Sequence, residues 1–377
     1  MAKREENALA LAFDLIKHTW RHRPGNEIPA AVLDTFDALG FETKAGLKPV
    51  LAHKHKTPCG WHLVFNLPPG ISKRDVEAKL DHFQEQTNGS IELFANGSKL
   101  HMDIRTTSLP EKVPYEWDPA EYPKMALPLP IGQTLSGLLV VDLSRLPHLF
   151  VAGNTGGGKT TFLRVAAVSL LSSGNVLLVI IDLKGLDFYH LHLSRHALVV
   201  DTDTGALGLL AALNREHNRR KEKLKAAGVV KLQDYPGDDL PWIVVIIDEL
   251  AELQDKEAQE LLNRLARLSR ATGICLIAAT QRPSHTLFQK FTDTRMLFAG
   301  RLCFHMPKPE DSRLILDSDA ASKLPPNIPG RGIWKWDRQV EVQGMMLTVE
   351  QAKRELANVP PRVVDWVEQR SKKLLPR

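Results

Sequence analysis

From residue 148 onward, short apolar runs alternate with longer stretches whose apolar positions recur every three or four residues. The runs 148–152, 176–182, 242–248 and 274–279 are nearly continuous in Val, Ile, Leu, Phe and Ala, the pattern of strands buried on both faces. Between them, 159–172, 205–227 and 255–271 carry helical spacing. This alternation predicts an α/β domain with a mainly parallel sheet covered by helices. Upstream the pattern changes. Residues 61–66 read as a strand, Ser72 and Asp75 open a helix to about Gln86 in the manner of a capping box, and 91–94 and 100–104 read as two further strands. Together they predict a compact β-α-β-β module. Residues 5–23 and 29–39 read as two amphipathic helices separated by Arg23, Pro24, Gly25 and Asn26, the second stopping at Gly40. The stretch 110–130 holds six prolines among twenty-one residues and is expected to lack regular structure.

These readings divide the chain into an N-terminal helical element (1–45), a small α+β module (46–110), a Pro-rich connector (111–130), an α/β domain (131–348) and a basic tail (349–377). No internal repeat is visible.

Composition changes this picture little. With 43% hydrophobic and 25% charged residues, the 377-residue chain has ordinary globular character. No apolar run approaches the roughly 20 residues of a membrane span, and no signal-type stretch follows Met1, so the expected location is cytoplasmic. Cys59, Cys275 and Cys303 lie too far apart for a clustered zinc pattern and are expected to be reduced. The net charge of +5 hints at nucleic acid. However, residues 351–377 hold seven Lys/Arg against three Asp/Glu, so the body is near neutral and any basic surface must be local.

The chemistry-bearing feature is Gly153, Asn154, Thr155, Gly156, Gly157, Gly158, Lys159, Thr160 and Thr161, which contains G-x-x-x-x-G-K-[ST] between a predicted strand and a predicted helix. Glycines let successive N–H groups curl toward phosphates, and the helix start adds its positive dipole end. Lys159 is suited to β- and γ-phosphate oxygens, and Thr160 to Mg²⁺. Eighty-nine residues after Lys159, the apolar run ending at Ile247 delivers Asp248 and Glu249. Asp248 is suited to hold Mg²⁺ through water, and Glu249 to polarise an attacking water. The next run ends in Thr280, Gln281, Arg282 and Pro283, which places an amide where it could sense a γ-phosphate. ATP and Mg²⁺ are thus the expected ligands.

In this order, the motifs around Gly153–Thr160, Asp182–Lys184, Asp248–Leu253, Thr280–Ser284 and Asp311–Asp317 resemble the motor of the FtsK/SpoIIIE family of DNA translocases, over about residues 60–345. The resemblance implies a RecA-like ATPase that forms a hexameric homo-oligomeric ring around double-stranded DNA, with ATP between neighbouring subunits. It implies that Arg270, at the end of the helix before the Thr280 strand, completes the neighbour's catalytic site, and that Arg282, Lys308 and Arg313 contact DNA. Met306, Pro307, Lys308 and Pro309 depart from the family's usual loop. The short architecture resembles motors of conjugative plasmids and phage-related elements, so a relaxase, a nuclease or a membrane channel is an expected partner class. No sequence-reading DNA domain is expected after residue 348.

Other features have plainer readings. His190, His192 and His196, like His53 and His55, lack the accompanying thiols or carboxylates of a metal site. The mixed-sign run from Arg215 to Lys225 reads as an exposed helix face, and Trp334 and Trp336 as packing residues. A competing function of another class is a protein-secretion ATPase of the type VII kind, which moves polypeptide with a related fold. An ATPase serving a nuclease or relaxase is a third.

Overall fold

The computed structural model describes residues 27–57, 60–284, 286–287 and 297–361. The predicted helix 5–23, Cys59 and most of the basic tail lie outside them. The chain forms two compact units, dividing between Ser108 and Leu109.

In the first unit, a four-stranded antiparallel sheet of order β1-β2-β4-β3 is formed by β1 (Val50–Thr57), β2 (Gly60–Asn66), β3 (Ser90–Asn96) and β4 (Lys99–Arg105). The module is therefore β-β-α-α-β-β, with one strand and one helix more than the expected β-α-β-β. The extra strand β1 escaped notice because its second half, His53-Lys54-His55-Lys56, is exposed and polar on both faces. Such a strand sits safely at a sheet edge, where charge discourages pairing with another chain. The expected single helix 72–86 is two, Lys73–Glu77 and Leu80–Thr87, because Lys79 leaves helical geometry at φ −121° and ψ 18°. The helix Glu27–Ala38 matches the expected 29–39, and Gly40 after it takes a left-handed φ of +67°. Phe36 packs its ring edge-on to Phe65 and Phe83 at 5.0 and 4.8 Å, in a core completed by Val32, Leu63, Leu100, Met102 and Ile104.

The second unit is built on a ten-stranded sheet. Its strands are β6 (Pro128–Thr134), β7 (Gly137–Asp142), β8 (His148–Ala152), β9 (Val176–Ile181), β10 (Ala197–Val200), β11 (Trp242–Ile247), β12 (Ile274–Thr280), β13 (Gly300–Phe304), β14 (Arg331–Lys335) and β15 (Gln339–Gln343). The order is β10-β9-β11-β12-β8-β13-β14-β15-β6-β7. The first six strands are parallel to one another, and the remaining pairings are antiparallel. Every residue of β8, β9, β11 and β12 is buried, as their uninterrupted apolar runs require. The antiparallel half is more polar, and its edge strand β7 is half-exposed, so it left little trace in the sequence pattern.

The Pro-rich stretch is less irregular than expected. It contains β5 (Val113–Pro114), paired with β16 (Met345–Met346), a short 3₁₀ turn at Pro119–Glu121, and the start of β6. It packs with the second unit. The Arg331 guanidinium, 6% exposed, donates to the Leu109 and Pro110 carbonyls at 3.0 and 3.1 Å, and the Tyr115 and Ser169 hydroxyls lie 3.0 Å apart. Trp334 is buried in β14, whereas Trp336, just beyond the strand, is exposed.

The charged run 215–225 is not simply a solvated face. Within the helix Asp203–Ala226, Arg220 is 1% exposed and donates to Glu216 at 2.8 Å and to the Thr272 carbonyl at 3.1 Å. His217 Nδ1 lies 2.9 Å from the Thr272 hydroxyl. This mixed-sign segment therefore clamps the 3₁₀ turn Ser269–Thr272 that leads into β12.

Candidate functional site

In an open parallel sheet, ligands sit beyond the carboxyl ends of the strands. β8, β11 and β12 are neighbours and end in Gly153, Asp248 and Gln281, so three motifs distant in sequence meet at one edge. The phosphate loop itself is fastened on both sides. Gly153 N–H donates to the Thr280 carbonyl at 3.3 Å and Asn154 N–H to the His305 carbonyl at 3.3 Å. Gly158 caps the helix Lys159–Ser172 at a left-handed φ of +112°. A Cβ there would stand 2.7 Å from Gly330 N, so both the backbone conformation and the space demand glycine. Ten of that helix's fourteen residues, Lys159 and Phe162 through Leu171 with one exception, are buried, which fixes the direction of its N-terminus. The first N–H groups of a helix have no intrahelical acceptor, and here they lie beside Lys159, Thr160 and Thr161.

Lys159, 3% exposed, donates to both the main-chain carbonyl and Oδ1 of Asp248 at 2.7 Å. Asp248 is 1% exposed, and its other carboxylate oxygen, Oδ2, is buried without a hydrogen-bond partner. Lys184 Nζ stands 3.9 Å from this oxygen. Glu249, 7% exposed, is held from the next strand: Thr280 Oγ1 donates to Oε1 at 2.6 Å, and Gln281 N–H to Oε2 at 3.0 Å. The Thr155 hydroxyl donates to the Gln281 side-chain oxygen at 3.0 Å, linking the phosphate loop to the amide. Lys159, Asp248, Glu249 and Gln281 thus converge, with Thr160 and Thr161 on the first turn beside them.

Two further side chains belong to this constellation and received no role from the sequence. Lys184 stands 3.7 Å from Glu249 Oε2, between the two acidic residues. Asp187 is half-buried, and burial, then the charges of Asp248 and Asp182, push its carboxyl above the usual range. Asp182, fully buried at the tip of β9, shapes the turn that presents both. Its carboxylate accepts from the Gly185, Asp187 and Phe188 N–H groups at 3.0–3.2 Å. The only sequence signal was an acid and a lysine at the tip of a buried strand, which needs the sheet order to acquire meaning.

Arg270 does not join its own chain's site. It is exposed in the turn before β12, at the opposite end of the sheet, where its charge, after burial itself, helps hold the buried His148 imidazole down at about 4. The seven residues of β12 separate it from Gln281 by roughly 20 Å at about 3.3 Å per residue. Arg282, Lys308 and Arg313 are all exposed, and Arg313 has weak ion pairs with Glu310 and Asp319 at 3.7 and 3.8 Å. Among the described residues, no helix is long and apolar enough to cross a membrane.

Comparison with known proteins agrees with this geometry. The FtsK/SpoIIIE family model matches residues 115–239 and 236–285. The chain is 34% identical to DNA translocase FtsK of Chlorobaculum tepidum over 222 residues, covering 53% of this chain and 27% of the relative. It is 31% identical to DNA translocase FtsK of Clostridium acetobutylicum over 253 residues, covering 61% and 32%. The chain thus spans a minor part of the curated relatives it matches. Among solved structures, the pCW3 conjugation coupling protein TcpA with ATPgS is similar at 26% identity and a TM-score of 0.63, over 87% of this chain and 98% of that one. The cytoplasmic domain of the type VII secretion ATPase EccC of Thermomonospora curvata shares the fold at 24% identity and a TM-score of 0.56, over 66% and 34%. The phosphate loop, the acidic strand tip and the amide brought together on one sheet edge all lie within the segment 115–285, which is similar to the FtsK/SpoIIIE family.

Proposed function

We propose that this chain is an ATP-hydrolysing motor that moves double-stranded DNA, acting as a homo-oligomeric, hexameric ring in the cytoplasm. The observation that carries the reading is the convergence of Lys159, Asp248, Glu249 and Gln281 at the ends of β8, β11 and β12, with Arg270 at the far end of the same sheet. The residues fit Mg²⁺: Asp248 Oδ2 is a buried carboxylate oxygen without a hydrogen-bond partner, beside the first helical turn that carries Thr160. Magnesium bound there through Thr160 and Asp248 would neutralise charge on the phosphate oxygens. The backbone of Gly153–Thr161 would cradle the phosphates and Lys159 would bind their terminal oxygens. Glu249, kept in place by Thr280 and the Gln281 N–H, would orient the attacking water, while the Gln281 side chain senses the γ-phosphate.

Arg270 cannot reach the phosphates of its own subunit, yet Arg220 and His217 hold its turn rigidly. A rigidly presented, exposed guanidinium at the sheet end opposite the phosphate loop suits a neighbour's site, where it would stabilise charge spreading over the transferred phosphoryl group. Arg270→Ala is expected to lower turnover by about 10³-fold. Mixing it with a Lys159 variant should restore part of the activity, since some interfaces then combine an intact loop with an intact arginine. Mixed rings as inactive as either parent would rule out the trans role.

Arg282, Lys308 and Arg313 are assigned to DNA phosphates, so binding should tolerate sequence and weaken with salt. The likeness to TcpA across most of this chain favours DNA transfer by a mobile element, with a relaxase, nuclease or membrane channel as the partner class. The likeness to EccC speaks for the fold alone. Steady-state ATP hydrolysis without nucleic acid, with long duplex DNA and with single strands, at low and moderate salt, tests the proposal. Duplex-stimulated, salt-sensitive turnover is the expected result, and turnover indifferent to DNA would turn the reading toward polypeptide movement.

A further inference from the structure

Lys184 has no part in the assignments above, yet it faces both acids of the strand tip. Its Nζ stands 3.9 Å from Asp248 Oδ2 and 3.7 Å from Glu249 Oε2. Among the described residues, the cations paired with these two carboxylates are Lys159, at Asp248, and Lys184, at both. Both acids are buried, so this is not a surface ion pair of the kind that contributes little.

The backbone around Lys184 is rooted firmly while the tip of its side chain stays free. β9 pairs with β11 through Ile181 and Ile247, and Asp248 N–H donates to the Ile181 carbonyl at 3.1 Å. The buried Asp182 carboxylate takes the N–H groups of Gly185, Asp187 and Phe188, and Gly185 turns at a left-handed φ of +74°. The chain on either side of Lys184 is therefore tied to the strand next to the acids. The side chain itself is 36% exposed and lies beyond hydrogen-bond length from both. A point charge on a flexible four-carbon stem can close either gap by changing rotamer.

Once Lys159 turns to the phosphates, Glu249 is left as a buried anion facing an anionic nucleotide. The groups that hold it, the Thr280 hydroxyl and the Gln281 N–H, are neutral and belong to β12. Oε1 takes both of these donors and Oε2 only the Gln281 N–H, at 3.0 Å. Oε2 is thus the oxygen with capacity for a cation and a water, and it is the one Lys184 stands beside.

We propose that Lys184 is a positioning residue for Glu249: with nucleotide bound, its ammonium pairs with Oε2, offsets repulsion from the phosphates and fixes the carboxylate that orients the attacking water. The inference rests on the reading of the phosphate loop above. It adds a residue that acts through Glu249 rather than on the phosphates.

The full chain with Mg·ATP and long duplex DNA tests it. Lys184→Met keeps the length of the stem and removes the charge. Its kcat is expected to fall by about 10²-fold, the scale of a misplaced reacting group, while KM for ATP stays nearly unchanged. Lys184→Arg, which restores a cation, should recover most of that loss. A second readout needs no turnover. Without nucleotide, Lys184→Met should barely change the melting temperature while Lys159 still pairs with Asp248. In the Lys159→Ala background, where Lys184 is the remaining cation beside the acids, the same substitution should lower it clearly. Unchanged kcat in Lys184→Met, a parallel loss of ATP affinity, or no rescue by Lys184→Arg would overturn the positioning role. Strictly additive melting shifts would overturn the pairing. A wild-type chain without ATP turnover would instead overturn the phosphate-loop reading itself.

Discussion

Lys159→Ala is expected to lower ATP turnover by about 10³-fold or more, since it deletes the cation proposed to neutralise the terminal phosphates where charge develops. The structure adds a second consequence. Lys159 and Asp248 are 3% and 1% exposed and joined at 2.7 Å, so truncating the lysine strands a buried carboxylate. Breaking a buried pair by removing one partner costs about 3–5 kcal/mol. The Lys184 ammonium, 3.9 Å from the same carboxylate, moderates that penalty. The variant should therefore melt earlier as well as lose activity. Lys159→Ala combined with Asp248→Asn removes the unpaired charge, so it should recover most of the melting temperature and none of the turnover. Recovery of turnover in that double variant, or wild-type turnover in the single one, would refute the assignment.

The pairing also bears on how the site works. Lys159 cannot hold Asp248 and reach phosphates with the same protons, so nucleotide binding must exchange one partner for the other. Lys184 then remains beside Asp248 and Glu249 as the chain's own countercharge.

Glu249→Gln should separate binding from chemistry. The glutamine oxygen can still accept from the Thr280 hydroxyl and the Gln281 N–H, so the strand tips keep their geometry. What is lost is the carboxylate proposed to orient and polarise water, a contribution of about 10²–10⁴-fold. Turnover should fall by that factor while ATP affinity stays within a few-fold, and ATP should remain bound unhydrolysed. Equal turnover in variant and wild type would remove Glu249 from the reaction. A matching loss of ATP affinity would make it a binding residue instead.

Much of the site is legible along the chain because each piece is local. The loop Gly153–Thr160 needs only its own glycines, lysine and threonine, and the runs ending at Ile247 and Thr280 announce themselves as buried parallel strands. Lys184 and Asp187 are different. Nothing near them in sequence distinguishes a catalytic neighbour from a solvated turn until β9 is seen beside β11.

The sequence by itself determined the parallel core, the phosphate loop, the acidic strand tip and the amide, since burial on both faces and phosphate binding each impose a short-range pattern. Only the tertiary structure decided the polar edge strand β1, the antiparallel half of the large sheet and the burial of Arg220 against the Arg270 turn. The same holds for the position of Arg270 across the sheet from its own phosphate loop. Those features depend on which strand lies beside which, and strand order is set by long-range packing that no local window of residues contains.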